Sequence, residues 1–170
     1  MNKREIDMAL NKIAQGDNQA FERLYIETKR GIYAFILPYF NNSADCEDAM
    51  QSTFLKIKQN IGQYKKGNNG LAWILQIAKN TALNELKKQK RTENLLDYKS
   101  VSIDEQNNSA IDILRKILSE DEYEIVVLHV IWGYKHKEIA KRFNCPIGTI
   151  TSKYNRSVKK FKQALKEESR

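Results

Sequence analysis

Apolar side chains recur at intervals of three and four along almost the whole 170-residue chain, and only two prolines and seven glycines interrupt them. That spacing fits a helix of 3.6 residues per turn, and so few breakers leave little punctuation for a many-stranded sheet. The chain is therefore expected to be all-α. Ile6, Ala9, Leu10 and Ile13 form a first stripe that Gly16 closes. Asp17 or Asn18 can cap a second helix bearing Phe21, Leu24, Tyr25, Ile32, Phe35 and Ile36, with Pro38 near its end. Asn42 or Ser43 can cap a third, whose inward stripe is Cys46, Ala49, Met50, Phe54, Ile57 and Ile61. The run GQYKKGNNG at 62–70 is a loop by composition, and a fourth helix over about 71–90 follows it.

Residues 92–108 are polar, acidic and aperiodic, and are expected to be a flexible linker. The expected organisation is two small helical domains, 1–91 and 109–170, joined by that linker. The second opens with Ile111, Ile113, Leu114, Ile117 and Leu118. Ser119 with Glu122 spells a capping box ahead of a helix through Val126, Val127, Val130 and Ile131, and Gly133 suits the position after its end. A short helix over 135–143, a turn at 144–147 and a long basic helix over about 148–167 complete the chain.

Charge is uneven. Residues 1–92 carry 15 basic and 9 acidic side chains, residues 93–124 carry 3 and 9, and residues 125–170 carry 11 and 3. Two basic blocks around an acidic bridge suit a protein that meets polyanion at two places. The acidic stretch around 104–124 is expected to discourage contact with free DNA or to suit a basic region of a partner.

Several classes fit poorly. Apolar stretches such as 32–40 fall short of the roughly 20 residues of a membrane helix, and the first 15 residues alternate charge with hydrophobe rather than forming an export leader. No membrane insertion and a cytoplasmic location are expected. Cys46 and Cys145 lack metal-ligand spacing and are expected to be buried thiols. No nucleophile elbow, phosphate-binding glycine loop or metal cluster is present, so neither catalysis nor a cofactor is implied. His129, within an apolar helix, fits a core or interface role, and His136, beside lysines at a helix start, could touch phosphate.

Residues 135–156 have the pattern of a helix-turn-helix. Ile139 and Phe143 face inward, Ala140 allows close helix approach, Asn144 tolerates a left-handed turn, and Ile150 anchors the second helix. Thr149, Thr151, Ser152, Lys153, Asn155 and Arg156 are then exposed donors for bases or phosphates, and Lys159, Lys160 and Lys162 extend the basic surface. In the first domain, Asp45, Asp48, Gln51 and Ser52 share a helix face and suggest a docking surface for a basic protein partner. The fourth helix carries Trp73, Lys79, Asn80, Asn84, Lys87 and Lys88. With Tyr64 and the 62–70 loop, it offers aromatic, amide and cationic groups suited to extruded bases and a single-strand backbone. Trp73 and Ile77 fit a core role better than a stacking platform, so the loop amides and helix-end lysines are the stronger candidates.

Three motifs in order resemble the small two-domain sigma factors of bacterial RNA polymerase, the extracytoplasmic-function (ECF) group of the sigma-70 type. The stretch DCEDAMQSTFLK at 45–56 is similar to the family's core-polymerase-binding helix, AWILQIAKN at 72–80 to the start of its −10-reading helix, and EIA at 138–140 with PIGTITSK at 146–153 to its −35-reading helix-turn-helix. The resemblance implies a transcription-initiation factor without chemistry of its own. Asp45, Asp48, Gln51, Ser52 and Phe54 would meet the clamp helices of core polymerase, with the flap a further contact. Tyr64, Lys66, Asn68, Asn69, Asn80, Asn84, Lys87 and Lys88 would hold the unpaired −10 strand. His136, Thr149, Thr151, Ser152, Lys153, Asn155, Arg156 and Lys159 would hold the −35 duplex. An anti-sigma protein is an implied partner. The chain departs from the family in having Asn84, Glu85 and Lys87 where many members carry Asp and Arg. Its turn has Asn144, Cys145 and Pro146 where Gly is common, and Thr151 and Asn155 occupy recognition positions often larger or cationic. The competing class is a stand-alone helix-turn-helix regulator whose first helices dimerise or sense a ligand.

Overall fold

A computed structural model describes residues 1–95 and 110–168, and side chains are described for 1–89 and 110–167. All regular structure among the described residues is helical, in two compact units, one on each side of the undescribed stretch. Most of the expected linker lies outside the described residues.

The first unit holds α1 (Lys3–Ala14), α2 (Asn18–Ile36), α3 (Ser43–Gln59) and α4 (Gly70–Leu95). Its helix starts follow local signals. Asn2 and Glu5 form a reciprocal capping box on α1, the Asp17 carboxylate accepts from the amide of Ala20, and the Asn42 side chain accepts from that of Asp45. Gly16, at φ +90°, supplies the left-handed residue that ends α1. Pro38 stands at the start of a 3₁₀ turn, Leu37–Tyr39, where its missing N–H costs nothing. Helix α4 packs on all three others, and Ile6, Leu10, Leu24, Ile32, Ile36, Ile57, Leu71, Ile74 and Leu75 are completely shielded. Each such side chain contributes about 1.5–3 kcal/mol of transfer free energy. Helix α4 continues to Leu95, so residues 92–95 are helix rather than linker. Nothing in QKRTENL at 89–95 breaks a helix, and charged composition alone does not end one.

The second unit holds α5 (Ala110–Ile117), α6 (Glu120–Val126), a π-helical turn (Val127–Ile131), α7 (His136–Arg142) and α8 (Ile147–Glu168). The expected Ser119–Glu122 capping box starts α6. The expected single helix through Ile131 instead widens into the π turn, leaving Val130 63% and Ile131 41% exposed. Gly133 then reverses the chain at φ +65°. Helix α8 packs against α5, α6 and α7 around Tyr123, Ile125, Leu128, Ile139 and Ile150. Cys46 is buried, but Cys145 is only partly so. It sits in the turn before α8, where its amide bonds the carbonyl of Ala140 at 3.0 Å.

Candidate nucleic-acid interface

In the second unit, the turn between α7 and α8 has the geometry of a helix-turn-helix. Asn144 adopts φ +49°, α7 packs on α8, and Ile139, Ala140 and Ile150 are all buried. Thr149, Ser152, Asn155, Arg156 and Lys159 are exposed on α8. Ser152, Arg156 and Lys159 follow one another at steps of four and three, so they line one face with Thr149. Asn155, Lys159, Lys162 and Lys166 line a shallow groove of about 500 Å³ farther along the helix.

Other expected contacts are committed inside the unit. The Thr151 hydroxyl donates to the carbonyl of Ile147 at 3.1 Å, and the same oxygen lies 3.1 Å from Nδ1 of His136. A hydroxyl has one proton, so with that proton on the Ile147 carbonyl His136 Nδ1 is the donor here. The buried His136 Nε2 has no hydrogen-bond partner. The ring stands 4.6 Å from His129 and 5.1 Å from Tyr154, centroid to centroid. Burial, and secondarily the neighbouring His129, lower the His136 pKa and disfavour its charged form. His136 and Thr151, expected to meet phosphate and a base, are half-buried and engage each other, so that the pair braces α7 against α8. His129 itself is anchored by Nδ1 donating to the carbonyl of Tyr134 at 2.8 Å.

The acids of α6 face α8 and α7. Asp121 pairs with Lys153 at 2.8 Å, Glu122 with Lys160 at 2.7 Å, and Glu124 with Arg142 at 3.3 Å. Glu122 is 5% exposed, and the Lys160 ammonium holds its carboxyl below the usual value. Part of the acidic stretch therefore neutralises cations of its own unit instead of standing free.

In the first unit, Asp48 and Gln51 are exposed on α3, together with Glu47 and Leu55, which is 60% exposed. Ser52 is half-buried beside them. Asp45 is half-buried and committed: one carboxylate oxygen accepts from Asn42 and from Gln89 of α4, both at 2.7 Å. Phe54 is 3% exposed and meets Tyr25 edge-on at 4.8 Å. The expectation that Phe54 touches a partner is corrected, since its ring belongs to the core. Leu55, one residue on, was the overlooked apolar group; its spacing of seven from Asp48 placed it on the same face.

The loop before α4 presents Lys66, Asn68 and Asn69 at the surface, with Gly67 at φ +94°. Asn69 is the N-cap of α4, its side-chain oxygen accepting from Ala72 at 3.0 Å. Tyr64 is 7% exposed, 5.4 Å from Trp73, with its hydroxyl 2.9 Å from the carbonyl of Asn68 and 3.2 Å from Asp7. Burial and the Asp7 carboxylate push its pKa up to about 12, so it stays a neutral donor. The expectation that Tyr64 meets a base is corrected: the ring underlies the loop. Asn80, Asn84, Lys87 and Lys88 are exposed along α4, Asn80 accepting from Gln76 at 3.0 Å and Lys88 pairing with Glu85 at 2.9 Å. Gln76, Asn80, Asn84 and Lys87 form one polar face, and Gln76 was overlooked although it lies four residues before Asn80. Trp73 is half-buried.

The sigma-70 region 2 profile matches residues 24–92 and the sigma-70 region 4 profile matches residues 116–161. The chain is 26% identical to RNA polymerase sigma factor CarQ of Myxococcus xanthus, covering 93% of this chain and 96% of that one. It is 19% identical to ECF RNA polymerase sigma factor SigK of Mycobacterium tuberculosis, over 95% and 94% of the two chains. Among solved structures, the sigma factor RpoE of Bartonella quintana, in complex with the anti-sigma factor NepR, superposes with a TM-score of 0.62 at 24% identity, covering 86% of this chain and 96% of that one. A helical unit of the region 2 type followed by a helix-turn-helix unit of the region 4 type defines a sigma-70-type factor. The chain belongs to that family, in its ECF group.

Proposed function

We propose that this chain joins core RNA polymerase as a dissociable sigma factor and directs it to promoters, initiating transcription by holding the −35 duplex and the opened −10 strand. The observation that carries this reading is the order of its two matched regions, each with a solvent-facing polar surface of the required chemistry. On α3, Asp48, Gln51, Ser52 and Leu55 would meet the clamp helices of the polymerase, with Asp45 shaping that surface through Gln89. Lys66, Asn68, Asn69, Asn80, Asn84, Lys87 and Lys88 would hold the unpaired strand, whose unstacking costs a few kcal/mol per base. Thr149, Ser152, Asn155, Arg156 and Lys159 would read or grip the −35 duplex, with Lys153 joining when it exchanges Asp121 for phosphate.

Two weak DNA contacts become selective when both ride on one large enzyme, because tethering raises their effective concentration at a single site. The polymerase supplies all the chemistry, so the chain acts in the cytoplasm without catalysis of its own. Among the described residues, no helix is long and apolar enough to cross a membrane. The division proposed here keeps the expected limits 1–91 and 109–170 except that the first domain extends to residue 95, where α4 ends. By analogy with the RpoE–NepR complex, an anti-sigma protein would restrain the chain.

Run-off transcription with core polymerase on a genomic-fragment library, with and without the chain, tests the reading. New start sites should depend on the chain, and equal selection of DNA without polymerase would favour the stand-alone regulator. Arg156→Ala should weaken duplex binding by about 1–3 kcal/mol if it meets a base and leave polymerase affinity unchanged. Asp48→Arg should do the reverse.

A further inference from the structure

Both ends of the loop before α4 meet at a single oxygen that comes from the far end of the unit's sequence. Oδ1 of Asp7, on α1, accepts the amide of Gly70 at 2.7 Å and lies 3.2 Å from the hydroxyl of Tyr64. That hydroxyl also reaches the carbonyl of Asn68 at 2.9 Å, inside the loop. Between these ties, Lys65, Lys66, Gly67, Asn68 and Asn69 are all exposed. The site is also closed to any added methyl. A Cβ on Gly70 would stand 2.5 Å from Asp7 Oδ1 and 2.7 Å from Leu10 Cδ1. Asp7 further places its negative charge at the positive end of α4, where two first-turn amides now have acceptors, Gly70 from Asp7 and Ala72 from Asn69.

We infer that Asp7 is a positioning residue for strand capture: its carboxylate holds the Gly70 amide and shares the single Tyr64 hydroxyl proton with the Asn68 carbonyl, and so presents Lys66 and Asn68 in one conformation before DNA arrives. A loop ordered in advance loses less conformational entropy on binding than one ordered by the ligand. Asp7 lies ahead of residue 24, where the match to region 2 begins. Its effect is separable from the docking of α1, because Ile6 and Leu10 on the same helix are completely buried and hold α1 in place without it. The inference rests on the proposal that this loop engages the unpaired −10 strand.

The test uses the full chain bound to core polymerase. A fork-junction DNA is first enriched by the unmodified holoenzyme from a pool with a randomised single-stranded segment. Its affinity is then measured for Asp7→Ala, Asp7→Asn and Lys66→Glu, alongside polymerase affinity and hydrogen exchange at the Gly70 amide. Loss of a hydrogen bond to a charged group should cost Asp7→Ala about tenfold in fork affinity. Asp7→Asn keeps an acceptor oxygen and should stay within about threefold. Polymerase affinity should hold in both, and Gly70 exchange should quicken only in Asp7→Ala. If Lys66→Glu leaves fork affinity unchanged, the role of the loop itself fails. If Lys66→Glu weakens binding while Asp7→Ala binds like the unmodified protein, or loses polymerase affinity in step, the positioning role of Asp7 is overturned.

Discussion

Gly70→Ala tests the packing at the start of α4, because the helix and its surroundings demand opposite outcomes. Gly70 is the first residue of α4 and does not adopt a positive φ. On helix grounds alone, alanine there should stabilise by about 0.5–1 kcal/mol through loss of unfolded-state freedom. The new methyl, however, would overlap a carboxylate oxygen at 2.5 Å and a core leucine methyl at 2.7 Å. Leu10 is fully buried and Asp7 is held by its bonds, so neither yields freely. Overpacking costs about 1–3 kcal/mol, and displacing Asp7 forfeits a charge-assisted bond of about 1.5–3 kcal/mol. The net expectation is a loss of about 2–5 kcal/mol, the two penalties less the helix gain. Gly148→Ala is the control, since Gly148 lies in the first turn of α8 with nothing within 4 Å of its Cβ position. It should gain about 0.5 kcal/mol. The two tryptophans fall one in each unit, so urea unfolding can be followed at Trp73 after Trp132→Phe, and at Trp132 after Trp73→Phe. A Gly70→Ala protein as stable as its parent would refute the argument.

The remaining predictions concern the second unit. Lys160→Met leaves the buried Glu122 carboxylate with Ser119 but without its cation, and Lys160 is 42% exposed, so water already screens the pair. The expected loss is therefore about 1–2 kcal/mol, below the ~3–5 kcal/mol of a fully buried pair, and a smaller loss in the double variant with Glu122→Gln would confirm the coupling by urea unfolding at Trp132. Because His136 has its pKa lowered in the fold, the unfolded chain takes up a proton first as pH falls below about 6.5. Stability at Trp132 should be level above that value, decline below it, and level again beneath the folded pKa; a His136→Gln protein with the same slope would remove the basis for this prediction.

The parts of the fold legible in sequence are those with short-range causes. Caps at Asp17, Asn42 and Ser119, and positive φ at Gly16, Gly133 and Asn144, each follow from a side chain acting within a few residues. What could not be read depends on distant partners. Tyr64 and Thr151 carry groups that suit DNA, and only the fold reveals that Asp7 and His136 already engage them. Phe54 and Leu55 are adjacent and equally apolar, and the packing of Tyr25 decides which one faces inward. The π turn gave no local signal, since Val127–Ile131 reads equally well as ordinary helix. Asp7 drew no notice because an isolated acid on an amphipathic helix has the appearance of a solubilising group.

The carboxylates of α6 also change what the cationic helix offers to solution. Of the six cationic side chains on α8, Lys153 and Lys160 carry a built-in anion, while Arg156, Lys159, Lys162 and Lys166 lie along its outer surface. A lysine that stays with its carboxylate neutralises no phosphate, and so displaces none of the small cations condensed on the double helix. Attachment of this unit to a duplex should thus respond to ionic strength as if the helix were a third less basic than its composition.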